Sequence, residues 1–264
     1  MSDDKIRLGG MALGNGVLVH GPRSWACAVR GSDGELRVAS GEKELKSSEI
    51  ESPLLRGLAR IGEMLAVLPA VRRELPEAEL PFRQGRVIAT VAGCALAAKG
   101  LRSSRLGPVA QESAAALLAL APVAMSLRGT EIASYHGAEH ISIGSYEHGE
   151  PRPREHERCG SHLLGPVLVA TVAGNVLAGK IADTPRGRSA ARLVAGLGAV
   201  AASTELYGWA LRNPKHVLAR ALAWPGHELQ RRFLTAEPTP EQLEVAEAAL
   251  AACLRLETVP PAEA

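Results

Sequence analysis

Four apolar stretches, residues 87–98, 113–127, 163–179 and 193–204, dominate the middle of the chain, and each is built chiefly from Ala, Gly, Leu and Val. Runs of this length are too long for ordinary strands and fit helices. The longest covers 17 residues, just short of the ~18–20 apolar residues that a spanning helix needs. Small side chains suit close helix packing in a membrane bundle, and they suit a buried soluble core equally well. With 46% hydrophobic but only 3% aromatic residues, the core has to be made from Ala, Leu, Val and Gly. The spacing therefore predicts a mainly α protein, a bundle of Ala/Gly-rich helices.

The first fifty residues follow a different pattern. Residues 17–20, 25–30 and 35–39 read as short strands, broken by Gly21-Pro22 and Ser32-Asp33-Gly34. A small N-terminal antiparallel β-sheet is expected there, so residues 1–50 form a β-rich segment and 51–264 a helical body, folded as one unit. Between residues 52 and 73, Leu54, Leu55, Leu58, Ile61, Leu65 and Val67 recur at helical spacing. Pro53 sits where a first helical turn accepts it. A proline-punctuated linker (75–84), a charged loop (149–158) and a breaker (183–188) divide the helical body. At the C-terminus, Thr239-Pro240-Glu241-Gln242 predicts an N-cap, a proline at the first helical position and an acidic first turn. The tail 259–264 is expected to fray.

Charge and cysteine usage narrow the setting. Lys and Arg number 30 against 28 Asp and Glu, a net charge of +2, which gives no footprint for nucleic acid. Cys27, Cys94, Cys159 and Cys253 lie far apart and match no disulfide framework, so a reducing compartment is expected. The N-terminus carries no signal-type apolar run, and a cytoplasmic start is expected. Gly9, Gly10, Gly14 and Gly16 read as turn glycines, because no phosphate-binding lysine follows.

Five of the eight histidines, His136, His140, His148, His156 and His162, fall within 27 consecutive residues. Tyr135-His136-Gly137-Ala138-Glu139-His140 contains H-x-x-E-H. Positions four apart share a helix face, so His136 and His140 can present two imidazoles to one metal ion, with Glu139 placed as general base. His156-Glu157-Arg158-Cys159 adds an H-x-x-C pair, and Glu205 closes an otherwise apolar stretch. The metal set is thus His136 and His140, completed by Glu205 or by His156 and Cys159. Zinc is the divalent metal these ligand types suit. His148 and His162 read as loop and helix-start residues, and Glu150, Glu155 and Glu157 as a solvated charged loop. A nucleophilic Cys159 activated by His156 is a weaker reading, lacking an oxyanion-type loop. The non-enzymatic alternative makes the cluster a structural metal site or polar interaction site, in an assembly such as a homo-oligomer.

These motifs resemble the YqhQ family of bacterial proteins. Gly9-Gly10-Met11-Ala12, Gly16-Val17 to Gly21-Pro22 and Trp25-Ala26-Cys27-Ala28-Val29-Arg30 match its N-terminal signature. Tyr135 to His140, Tyr146-Glu147-His148-Gly149, His156 to Ser161, Ser203-Thr204-Glu205 and Leu234 to Pro238 with Gln242, Glu244, Val245 and Ala246 follow in the same order. The sequence departs from that pattern at Met11, Asn15, His20 and Ile141, and its region before Tyr135 is shorter and more polar. The family has no established reaction. The resemblance implies a metal-dependent enzyme in the membrane. Together with the H-x-x-E-H string, it gives the expectation of a membrane-associated, metal-dependent hydrolase at the cytoplasmic face, with a cytoplasmic protein as the alternative.

Overall fold

The computed structural model describes residues 5–43, 53–80, 85–122, 130–181 and 183–258. It is mainly helical, with one small antiparallel sheet near the N-terminus. Four strands, β1 (Gly9–Ala12), β2 (Gly16–His20), β3 (Ser24–Arg30) and β4 (Leu36–Glu42), pair in chain order as a meander. The turn between β3 and β4 places Gly34 at φ 81°, a conformation that favours glycine. The reading of Gly9 and Gly10 as turn glycines is corrected: they open β1, which pairs with β2 from Gly9 opposite His20 to Ala12 opposite Val17.

Alternation along β2 and β3 sends side chains to two separate cores. Val17, Val19, Ala26 and Ala28 face one side. There they pack with Ile132, Tyr135 and Ala138 of α4 (Glu131–His148) and with Val245, Ala246, Ala249 and Cys253 of α8 (Pro240–Thr258). Leu18, Trp25, Cys27 and Val29 face the other side, against Val67 and Val71 of α1 (Pro53–Glu74). The sheet therefore lies between helices, and α4 is held on it from residue 132 onward. The start of α8 is a capping box: Gln242 N donates to Thr239 Oγ1 at 3.3 Å and Thr239 N donates to Gln242 Oε1 at 2.9 Å. Near its end, Glu257 accepts from the backbone N–H groups of Arg23 (2.8 Å) and Ser24 (2.7 Å), fastening the helix to the β2–β3 turn.

The Ala/Gly-rich stretches form α2 (Gly85–Arg102), α3 (Pro108–Leu118), α5 (Leu164–Ile181) and α6 (Pro185–Arg212), followed by α7 (Val217–Leu229). Helices α5 and α6 make an antiparallel pair, joined across the breaker at 183–188, where Thr184 Oγ1 caps α6 by accepting from Gly187 N. At the tips of the helices, buried Glu112 of α3 accepts from Arg102 of α2 (2.9 Å twice), Asn175 of α5 (3.0 Å) and Arg192 of α6 (3.1 Å). Residues 81–84 of the linker, 123–127 of the second apolar stretch and the tail 259–264 lie outside the described residues.

His20, at the end of β2, links the sheet to pH. Burial, and then the nearby Lys43 cation, lower its pKa from 6.5 to about 4. The unfolded chain takes up a proton below pH 6.5 that the folded sheet refuses until about pH 4, so stability is full above 6.5 and falls across that window. The full loss is about 3 kcal/mol. Hydrogen exchange at the β2 and β3 amides should report a falling opening free energy from pH 7 to pH 5, with a shallower slope in His20→Gln.

Candidate metal centre

Helix α4 is buried on most of its circumference, yet it carries polar residues on the stripe His136, Glu139, His140 and Glu147. It ends at Gly149, whose φ of 75° makes it a left-handed cap donating to Ser145 O. The chain then folds back, so that the loop 149–158 and the turn at 159–163 lie against the same stripe. Two glycines on the helix make that approach feasible. A Cβ on Gly137 would fall on the carbonyl oxygen of Ala236, and one on Gly144 would sit 3.3 Å from Arg152 Cβ and 3.4 Å from His156 Cδ2. Gly137, which weakens the isolated helix, is required by this packing. Ala236 N also donates to Ala133 O at 2.9 Å, so residues 234–236 lie directly on α4.

Both histidines are oriented by backbone carbonyls. His136 Nδ1 lies 2.9 Å from Leu234 O and His140 Nδ1 lies 2.6 Å from Arg154 O. A carbonyl only accepts, so each Nδ1 carries a proton, and in the neutral ring it is Nε2 that keeps the lone pair. That is the tautomer a metal-ligating histidine needs, fixed by the partner it commonly has. Burial, and then the neighbouring His136, hold His140 well below its ordinary pKa, so it stays neutral. Cys159 brings its Sγ to 3.6 Å from His136 Nε2. His136, His140 and Cys159 each offer one ligand atom, and these three atoms lie within 4.8 Å of one another.

Glu139 borders this group, with Oε2 4.0 Å from His136 Nε2. It is buried under β1, where a Cβ on Gly10 would overlap its carboxylate. Burial raises its pKa from 4.5 to about 7 against the opposing pull of His136. A carboxylate near that value suits proton transfer at neutral pH. Burial likewise raises the Cys159 thiol.

The other predicted residues lie apart from the trio. His156 is adjacent, its ring centroid 5.4 Å from that of His140, but its Nε2 is engaged with Glu147 Oε2 at 3.2 Å. Arg158 Nη1 donates to the second Glu147 oxygen at 2.7 Å. Burial opposes ionisation of Glu147, and the His156 hydrogen bond and Arg158 charge outweigh it, holding the carboxyl below its usual range. Glu205 is exposed on α6 and stands outside the group. His162 is buried and donates from Nδ1 to Ala223 O at 3.0 Å, tying the turn to α7. His148 bonds Gly144 O within its own helix.

Gln230, which no local pattern singles out, proves central to the loop. It is fully buried; its Oε1 accepts from His156 N at 2.8 Å and its Nε2 donates to Ser161 Oγ at 2.7 Å. Its partners lie some seventy residues away in sequence, so no motif spacing reveals it. The loop is thereby fixed from both sides, by Gln230 and by α4.

A family model described as a protein of unknown function (DUF1385) matches residues 120–256, more than half of the chain and all of the elements that build this centre except β1. No curated protein and no solved structure matches the chain.

Gln230→Ala strands two buried polar partners. Each costs about 1–3 kcal/mol, so thermal unfolding should show a loss of about 2–6 kcal/mol. Faster hydrogen exchange at the His156 amide should accompany it, while the sheet amides keep their protection relative to the global value.

Proposed function

The chain belongs to the DUF1385 family, which is the YqhQ family, and we propose that it is a membrane-associated, metal-dependent hydrolase. His136, His140 and Cys159 hold the divalent ion, zinc by ligand type, and Glu139 is the general base. The observation that carries this reading is the pair of imidazoles whose Nδ1–H groups are spent on Leu234 O and Arg154 O, leaving both Nε2 atoms beside the Cys159 sulfur. Distances of 2.0–2.1 Å for Zn–N and 2.3 Å for Zn–S in a tetrahedral site put nitrogen and sulfur about 3.6 Å apart. His136 Nε2 and Cys159 Sγ lie 3.6 Å apart here. Three protein ligands leave the fourth position that catalytic zinc keeps open.

A divalent ion in this place supplies Lewis acidity, polarising a carbonyl or phosphoryl oxygen and acidifying water. The chain's own residues do the rest. Glu139 accepts the proton from the attacking water and returns it to the leaving group, its pKa near 7 letting it serve in both directions. Leu234 and Arg154 fix the imidazoles through their carbonyls. Glu147 and Arg158 hold His156 beside His140, and Gln230 keeps the loop closed over the site.

Membrane association is supported by where the apolar residues point. One helical stretch, Gly160–Ile181, is long and apolar enough to cross a membrane, and only 28% of its most apolar window is buried. Ile88, Val91 and Leu96 of α2, Val169 and Leu177 of α5 and Leu193, Val194 and Leu197 of α6 are all exposed. Single exposed apolar residues are ordinary; a set of this density across three helices marks a contact surface.

The second reading, a structural polar cluster, uses the same 3.6 Å contact as an S–H···N hydrogen bond. Metal content separates the two. Purified full-length protein should carry about one equivalent of zinc or another transition metal, lost in His136→Ala and in Cys159→Ser. Less than a tenth of an equivalent, unchanged in His136→Ala, overturns the metal reading. Glu139→Gln should keep the metal while cleavage of a p-nitrophenyl ester falls by about 10²–10⁴-fold. In cell fractionation the full chain should stay with the membrane after alkaline carbonate washing.

A further inference from the structure

A cavity of about 560 Å³ opens beside the centre, between the loop 149–158, the end of α6 and α7. This volume is within the range of small-ligand sites, about 300–1,000 Å³. His156 forms part of its wall, and the centroid of that ring lies 5.4 Å from that of His140, so one side chain stands between the cavity and the candidate metal centre. Most of the remaining wall is apolar, including Ala210, Leu211, Leu222 and Ala223. Trp224 belongs to the lining as well and is 64% exposed. Val217 stands seven residues before Trp224, on the same face of α7, and is also exposed. The apolar wall therefore runs out onto the exposed Val217 and Trp224. Pro166, near the start of the candidate span, lines the cavity from the other side.

One lining residue carries a charge that nothing in the fold uses. Arg152 is paired with Glu150 and Glu157. Arg220 shares the face of Val217 and Trp224 and makes no ion pair among the described residues. A cation at the mouth of an apolar pocket, beside an exposed tryptophan, matches an amphiphile better than a polar metabolite.

We propose that this cavity binds a long-chain anionic amphiphile drawn from the lipid phase, its alkyl chain against Leu211, Leu222 and Ala223 and its carboxylate or phosphate met by Arg220. Such a molecule is the substrate class of the neighbouring centre, an assignment that rests on the hydrolase reading above, whereas binding itself does not depend on the metal.

The test uses the full chain in phosphatidylcholine nanodiscs with a diazirine-labelled dodecanoate, cross-linked by light and mapped by peptide mass spectrometry. Adducts should concentrate on the peptides containing Leu211 and Leu222 to Trp224. Unlabelled dodecanoate or dodecyl phosphate should compete at least tenfold better than dodecyltrimethylammonium, and whichever anion competes better identifies the head group. Ala210→Phe and Ala223→Phe fill the cavity and should reduce these adducts at least tenfold with the metal content unchanged. Arg220→Gln should remove the preference for the anion. Adducts spread over the outer faces of α2, α5 and α6 and indifferent to both phenylalanine variants overturn the proposal, as does equal competition by the cation. Protection of the same peptides by a second copy of the chain, seen as a doubled mass with no adducts, overturns it too. Metal bound without localised adducts rejects the cavity and keeps the centre; localised adducts without metal reject the centre and keep the cavity.

Discussion

The approach of residues 234–236 to helix α4 is the contact on which the candidate centre depends. Gly137 has no side chain, so the backbone at Ala236 comes to rest on the helix, where Ala236 N reaches Ala133 O. The same approach carries Leu234 O to His136 Nδ1. One main-chain segment therefore both covers the helix and chooses the histidine tautomer. On the neighbouring turn, the loop does the same for His140 through Arg154 O. These hydrogen bonds are donated to fixed backbone carbonyls, which orient an imidazole more rigidly than a mobile side chain would. The polar stripe of α4 is thereby enclosed by main chain on one side and by the sheet, through Gly10, on the other.

Much of this fold was legible in sequence because it rests on local signals. The strands read at 17–20, 25–30 and 35–39 form as β2, β3 and β4, each shifted by no more than three residues at an end. The cap at Thr239 and Pro240 holds, and the helix read from residue 52 begins at Pro53. Strand β1 was missed because its glycines look like turns. They serve close approach to His20 and Glu139, partners that become visible only once the chain is folded.

The centre was legible in part. H-x-x-E-H places His136, Glu139 and His140 on one helix face, which is a local fact. The third member of the group was not, because Cys159 and Glu205 are both downstream side chains of suitable chemistry. Tertiary structure gathers Cys159 with the two histidines and leaves Glu205 exposed on α6. His156, which with Cys159 is one of the two ways the sequence offers to complete the shell, has its Nε2 on Glu147, a carboxylate whose burial demands a partner. Gln230 had no signal at all. Its role is to satisfy backbone and side-chain groups of a loop remote in sequence, and any buried glutamine looks alike until those partners are placed.

Two kinds of surface meet at this centre. Around it the chain is polar, tightly bonded and built on a sheet. Beyond it, paired Ala/Gly-rich helices expose leucine, valine and isoleucine and bury one carboxylate, Glu112, among two arginines and an asparagine. X-ray absorption at the zinc edge of the zinc-loaded full chain tests the central claim most directly. The account requires two nitrogen scatterers at about 2.0 Å and one sulfur at about 2.3 Å, with the sulfur lost in Cys159→Ser. A shell of oxygen and nitrogen alone in the native sequence, unchanged by that substitution, contradicts it.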